Sequence, residues 1–413
     1  MTMYLKVTGA LVVLILLSLM MWFFFFRPTV STTPVGTGFF GTRSTVSVPV
    51  SPSTTDTPTN QGGGTMSNQK IFKIVDGPVA GATFVQTFNP TTTVARYVMQ
   101  DNGHVLDLPI DVPGSMPRSV SNTTIPGVIN ALWGEKGGAV VLQYREGQNL
   151  KTVHVGFASI PTTTSSTNTR TAAVTPLRIR FLPDNITALA VSPDGKKVAY
   201  LMLGGGGVVG YTANLDGTES RVLFTLPLKE LLLSWPTQST VLVQTKSAAG
   251  VPGIAFSVST KDGATLPLLY APGLSATADS TFSKVVYQSI ETAGRNTYAH
   301  DIITGRDVPL SFQPLPEKCV WSISARAFMY CAAPMQYVAP NYLDLWHQGL
   351  ASAPDSLFAF NVATGATLVL GTPGGTEGGV SSDIKDLSIA PEERYLSFIK
   401  KGDRSLWGVR LTQ

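Results

Sequence analysis

AVSPDGKKVAY, residues 190–200, sets Ser192-Pro193-Asp194-Gly195 between two apolar-alternating runs. Proline presets a turn-compatible backbone angle and glycine adopts left-handed conformations, so Pro-Asp-Gly between strand-like runs reads as a tight turn. The wider stretch 186–224 contains four such runs, at 186–191, 197–203, 208–215 and 221–224, with Asp216-Gly217 as the turn between the last two. The same plan recurs at 231–270 and 274–312, and at 317–371 with a long insertion. Weaker copies lie upstream at 83–124 and 127–182. Repeats of about 40 residues, each a four-stranded meander, are the mark of propeller blades.

The last copy, 384–413, has only three runs, while an unpaired run, KIFKIVDG at 70–77, precedes the first copy. An open ring would leave a strand edge unsatisfied. Residues 70–75 are therefore expected to supply the outer strand of the last blade. The fold class that follows is all-β, a seven-bladed β-propeller over 70–413, with six or eight blades as the alternatives.

ALAVSPDGKKVAYLM followed by GYTANLDGTESRVL resembles the repeat of TolB-like propellers, the WD40-like family with Ser-Pro-Asp-Gly-Lys turns. The resemblance covers most of 70–413. It is sharp in the third copy and decays elsewhere to forms such as TADSTFSKVVYQ and SIAPEERYLSFI. The overall layout, with SNTTIPG, CVWS and WHQG, also resembles membrane-anchored propeller proteins of small-genome bacteria. Neither resemblance implies an activity.

Ahead of the repeats the chain has a different character. After a tail of residues 1–6, residues 7–26, from Val7 to Phe26, are twenty residues without a charge. As a helix they would span about 30 Å of hydrocarbon. A cleaved signal peptide is the alternative, but the run ends in bulky Trp22 to Phe26 rather than small residues. A transmembrane helix acting as a signal anchor is the expectation, with the C-terminal domain outside the cytoplasm. Lys6 on one side and Arg27 and Arg43 on the other leave the charge rule nearly silent on orientation. Residues 27–69, rich in Ser, Thr, Pro and Gly, cannot bury enough apolar surface to offset chain entropy and read as a disordered stalk.

The net charge of +4 is thinly spread, which gives no nucleic-acid footprint. Gly204 to Gly207 lacks the Lys and Ser/Thr of a phosphate loop and reads as a flexible loop between strands. The histidines His104, His154, His300 and His347 show no metal-ligand spacing, and the first three are expected at solvent-facing strand positions. Asp301, Arg306 and Asp307 read as turn charges. No cofactor or metal is expected. Sialidase boxes and a Gly-x-Ser-x-Gly nucleophile are missing. A glycan-cleaving carboxylate pair stays open, with Asp344 and Asp355 as weak candidates; convergence of two carboxylates at the channel mouth within roughly 5–10 Å would favour an enzyme.

The insertion APMQYVAPNYLDLWHQGLASAPDS, 333–356, interrupts the second-to-third strand connection of the sixth copy. Tyr337, Tyr342, Asp344, Trp346 and His347 concentrate there as a candidate binding surface. The competing reading is a lid in which Leu345 and Trp346 pack on a neighbouring blade. Cys319 and Cys331 flank a predicted hairpin centred at Ala325 and are expected to pair as a disulfide, an arrangement suited to an oxidising compartment. The function expected is a membrane-anchored, non-catalytic platform for an envelope protein or polymer, with a propeller glycan hydrolase or lyase as the alternative.

Overall fold

The computed structural model describes residues 70–87, 91–157, 177–291, 294–311, 313–373 and 382–411. These residues form seven four-stranded antiparallel sheets. Six blades each take four consecutive strands and cover 79–121, 128–181, 188–226, 231–272, 275–309, 319–371 in chain order. The seventh combines Ile384–Ile389, Tyr395–Lys400 and Leu406–Arg410 with Ile71–Val75, which pairs with Leu406–Arg410. The first strand of blade 1 is Val79–Thr87, four residues earlier than the repeat pattern places it, because Val79 and Ala80 are already core residues.

Ring closure rests on backbone pairing and on shape. Ile71 pairs with Val409, Phe72 with Gly408 and Lys73 with Trp407. Phe72 and Ile74 are buried, each contributing about 1.5–3 kcal/mol by the transfer of its side chain from water. Gly408 makes room for Phe72: a Cβ there would lie 2.5 Å from the ring's Cζ. Polar contacts then join blades 7 and 1. Val79 N–H donates to Arg404 O, Thr93 Oγ1 to Glu392, and Tyr395 Oη to Asp111.

The turn in the opening stretch is a structural device shared by three blades. In 192–197, 279–284 and 390–395, the first residue's N–H bonds the carbonyl of the sixth, and the fourth residue's N–H bonds the carbonyl of the first. The fourth residue is left-handed in each: Gly195 (φ 73°), Phe282 (φ 53°) and Glu393 (φ 55°). Glycine is needed in blade 3 for a second reason, since a Cβ on Gly195 would lie 2.4 Å from Glu135 N of blade 2.

Two local expectations need correction. Gly204 and Gly207 face each other across a hairpin with two residues between, so this run is a tight turn rather than a loose loop. His154 is 6% exposed, not solvent-facing. It pairs with Val141, whose side chain belongs to the core shared with blade 3, and a middle strand of a blade has a neighbouring sheet on each face. The span expected at 7–26 and the stalk at 27–69 lie outside the described residues. Among the described residues no helix is long and apolar enough to cross a membrane.

Removing residues 66–78 should expose the Leu406–Arg410 edge, lower the melting temperature and produce oligomers. Calorimetry with size-exclusion chromatography checks this; an unchanged, cooperative melt of a monomer would refute closure by this strand.

Candidate functional site

First strands of neighbouring blades contact one another at most boundaries, which puts them at the centre of the ring. Because strands alternate in direction, second-to-third connections and blade-to-blade connections emerge on one face. On that face the insertion of blade 6 folds into a short helix, Tyr342–His347, whose Tyr342 and Leu343 pack on Leu315.

The helix is held by blade 4, the connection between blades 5 and 6, and blade 7. Asp344 accepts the Ala249 N–H at 2.8 and 3.0 Å, from the second-to-third connection of blade 4. His347 Nε2 lies 3.0 Å from Glu317, which also accepts from Ser275 Oγ of blade 5. The Trp346 indole N–H donates to both oxygens of Asp383, at 2.9 and 2.8 Å, at the entry to blade 7. Lys401 of blade 7 donates to the carbonyls of Trp346 and Ala351.

Beneath the helix lies a buried ion cluster. Lys318 Nζ, with no side-chain exposure, bonds Asp355 at 2.7 Å and Asp383 at 2.6 Å. Lys401 Nζ stands 3.8 Å from Asp383, so two ammonium groups face two carboxylates. The Trp346 ring also contacts both cations, its centroid 5.0 Å from Lys318 Nζ and 4.5 Å from Lys401 Nζ. Burial pushes the Asp355 carboxyl up to about 6 against the opposing pull of Lys318. Burial likewise lowers Lys401 and raises the Tyr342 phenol. Asp355 Oδ1 and Tyr342 Oη have no hydrogen-bond partner among the described residues.

The sequence candidates thus separate. Tyr342, Asp344, Trp346 and His347 are engaged inside the molecule, whereas Tyr337 is 83% exposed. Asp344 and Asp355 are not brought into one site; Asp355 meets Asp383 instead. Two carboxylates sharing one ammonium have bonded oxygens no more than about 5 Å apart, at or below the short end of the spacing relevant to glycoside cleavage. The ammonium fills the space between them and both are shut from solvent. Lys318, Asp383 and Lys401 were missed by sequence reasoning. Their only signal was position, since each lies in a connection on the insertion's face.

Cys319 sits directly opposite Cys331, with Cα atoms 4.1 Å apart and the sulfurs bonded. The bond pins the strand that begins one residue after Lys318. His104 and His300 are half-buried, His300 facing Asp307 at 2.9 Å, and Asp301 accepts the Thr304 N–H within its turn. Among the described residues no group of three or more His, Cys, Asp or Glu could hold a metal.

No protein-family model matches the chain, and no curated protein matches it significantly. Solved structures do. An oligogalacturonate lyase from Vibrio parahaemolyticus is 11% identical over 82% of this chain and 99% of its own, with a TM-score of 0.50. TolB from Acinetobacter baumannii is 11% identical over 83% of this chain and 66% of its own, with a TM-score of 0.41. The Neurospora crassa Pan2 WD40 domain is 7% identical over 82% and 90%, with a TM-score of 0.49. At such identities the likeness concerns the fold alone. What the chain itself shows is a propeller of seven four-stranded blades.

Removing one member of a buried ion cluster leaves an uncompensated charge. Lys318→Met should therefore destabilise the domain by about 3–5 kcal/mol. Trp346→Ala, which loses the indole bond and the packing over both cations, should cost about 3 kcal/mol. Denaturant unfolding measures both; a loss under about 1 kcal/mol for either would mean the helix is not seated as described.

Asp355 also makes stability depend on pH. The folded state holds its proton more tightly than the unfolded chain, where an aspartate titrates near 3.9. The stabilisation is therefore complete below about pH 4 and is lost as pH rises through about 6. Going from pH 7 to pH 5 should strengthen folding through this group by about 1 kcal/mol. Asp355→Asn should lack that increment, measured as the difference between the two proteins' stability profiles.

Proposed function

We propose that this chain is a membrane-anchored, non-catalytic propeller displayed outside the cytoplasm, presenting a rigid surface to an envelope protein or polymer. The observation that carries the reading is the outer rim of the seated insertion. Met335, Tyr337 and Leu350 are 66%, 83% and 72% exposed on a segment whose other side is fastened to blade 4, the blade 5–6 connection and blade 7. Large apolar side chains held out on a preorganised support are what association favours, because little ordering entropy opposes binding. The uncharged run at 7–26 and the Ser/Thr/Pro-rich tract behind it support an anchor and spacer. A bonded Cys319–Cys331 pair suits an oxidising compartment.

A glycan hydrolase or lyase is the second reading. It is favoured by the Asp355–Asp383 pair, in which one carboxyl is raised to about 6, the condition of a general acid. An oligogalacturonate lyase also shares the propeller fold. Catalysis there would require the Tyr342–His347 helix to lift and Lys318 to release one carboxylate.

Crosslinking of the whole chain in its native envelope tests the first reading. The double variant Tyr337→Ala, Leu350→Ala should keep its melting temperature and lose its crosslinked partner at least about tenfold. Undiminished crosslinking would reject this rim as the surface, and polysaccharide cleavage abolished by Asp355→Asn would favour the enzyme.

A further inference from the structure

On the ring's other face, a cleft of about 1180 Å³ opens between blades 2 and 3. One wall is the 192–197 turn of blade 3: Asp194 and Lys196 line the cleft, and Gly195 O accepts the Glu135 N–H at 2.9 Å. The facing turn of blade 2 runs through three successive left-handed residues, Glu135 (φ 49°), Lys136 (φ 54°) and Gly137 (φ 87°). Two of these are not glycine, a strained backbone that needs the surrounding contacts to hold it.

The cleft's chemistry is uneven. Lys136, Arg178, Arg180 and Lys196 line it against Glu135, Asp194 and Asp216. Two of the three carboxylates are engaged in their own turns. Asp194 accepts from Ser192 Oγ and Lys196 N, and Asp216 from Thr218 N and Oγ1. Arg180 faces Asp216 at 3.9 Å. Lys136, Arg178 and Lys196 have no ion-pair partner within 4 Å among the described residues.

His154 supplies an independent observation. It lines the cleft, is 6% exposed, and neither ring nitrogen has a hydrogen-bond partner among the described residues. Burial lowers its pKa, which favours the neutral ring with one donor and one acceptor nitrogen. Buried polar groups are nearly always paired, so an imidazole orphaned twice beside an open cleft marks a place where a bound group completes the bonding.

We propose that this cleft binds a multiply charged oxyanion ligand, phosphate- or carboxylate-bearing, held by Lys136, Arg178 and Lys196 and hydrogen-bonded by His154. Arg178 suits this role because a guanidinium fork matches two oxygens of either group. The cleft exceeds what a single small anion fills, which leaves room for the rest of a larger ligand. The site lies on the face opposite the insertion and stands apart from the binding surface proposed there.

Titration calorimetry of the 413-residue chain with pyrophosphate and, separately, citrate tests the proposal, and the probe that binds identifies the anion type. Arg178→Gln should weaken binding at least tenfold, while Arg306→Gln, an equal charge change on an exposed strand of blade 5, should alter it less than twofold. His154→Phe, which keeps a ring of similar bulk, should also weaken it at least tenfold with the melting temperature maintained or raised. No binding of either probe, equal losses in the two arginine variants, or full affinity in His154→Phe would overturn the assignment.

Discussion

The pairing of Ile71–Val75 with Leu406–Arg410 is the constraint from which the other contacts follow. Each blade buries both faces against neighbours, so no blade can be described as stable by itself and the ring holds only when its ends meet. The seam is reinforced on several levels. Backbone pairing removes an edge, Phe72 fills the space left by Gly408, and Glu392, Tyr395 and Arg404 bridge to blade 1. Such a closure joins residues more than 300 positions apart, and long-range contacts of this kind form late because loop entropy opposes them.

Once the ring is closed, the channel face becomes a fixed frame on which one insertion can be seated by charge. Burying Lys318, Asp355 and Asp383 is costly in isolation, and the cost is offset only because every charge faces an opposite one at bonding distance. A cluster of that kind is a better device for orientation than for stability. It fixes where Trp346 lies, and with it the direction in which Tyr337 and Leu350 project. The sulfur bridge beside Lys318 works to the same end by holding the strand at whose start the lysine stands.

The blade plan was legible because strand alternation and turn residues are local properties. The count of seven followed from the missing fourth run at the end and the spare run at 70–75, and the sheets have that order. The turn motif was legible in one copy only, for a physical reason. Blades 3, 5 and 7 use one backbone path, but the left-handed fourth position carries Gly195, Phe282 and Glu393. Glycine announces that conformation, whereas Phe and Glu conceal it. The buried cluster was not legible, since its lysines and aspartates come from separate connections and only the closed ring brings them together. His154 was misread because alternation along a strand cannot distinguish solvent from a neighbouring blade.

The decay of the motif has its own logic, visible in what each turn must touch. The blade 3 turn needs a residue without a side chain because Glu135 N lies against it. The blade 7 turn needs Glu393, whose carboxylate accepts Ser322 Oγ and the Ser324 N–H of blade 6. In blade 5, Asp279 takes the place of Ser192 and accepts the N–H groups of Ser283 and Lys284 within its own turn. Identical turns would suit identical neighbours, but the surroundings of these three turns differ. In blades 3 and 7 the residue at the fourth turn position thus matches what the neighbouring blade places against it. A cleft can open at one boundary, between blades 2 and 3, without loosening the ring, because the pairing that closes the ring lies at another boundary, between Ile71–Val75 and Leu406–Arg410.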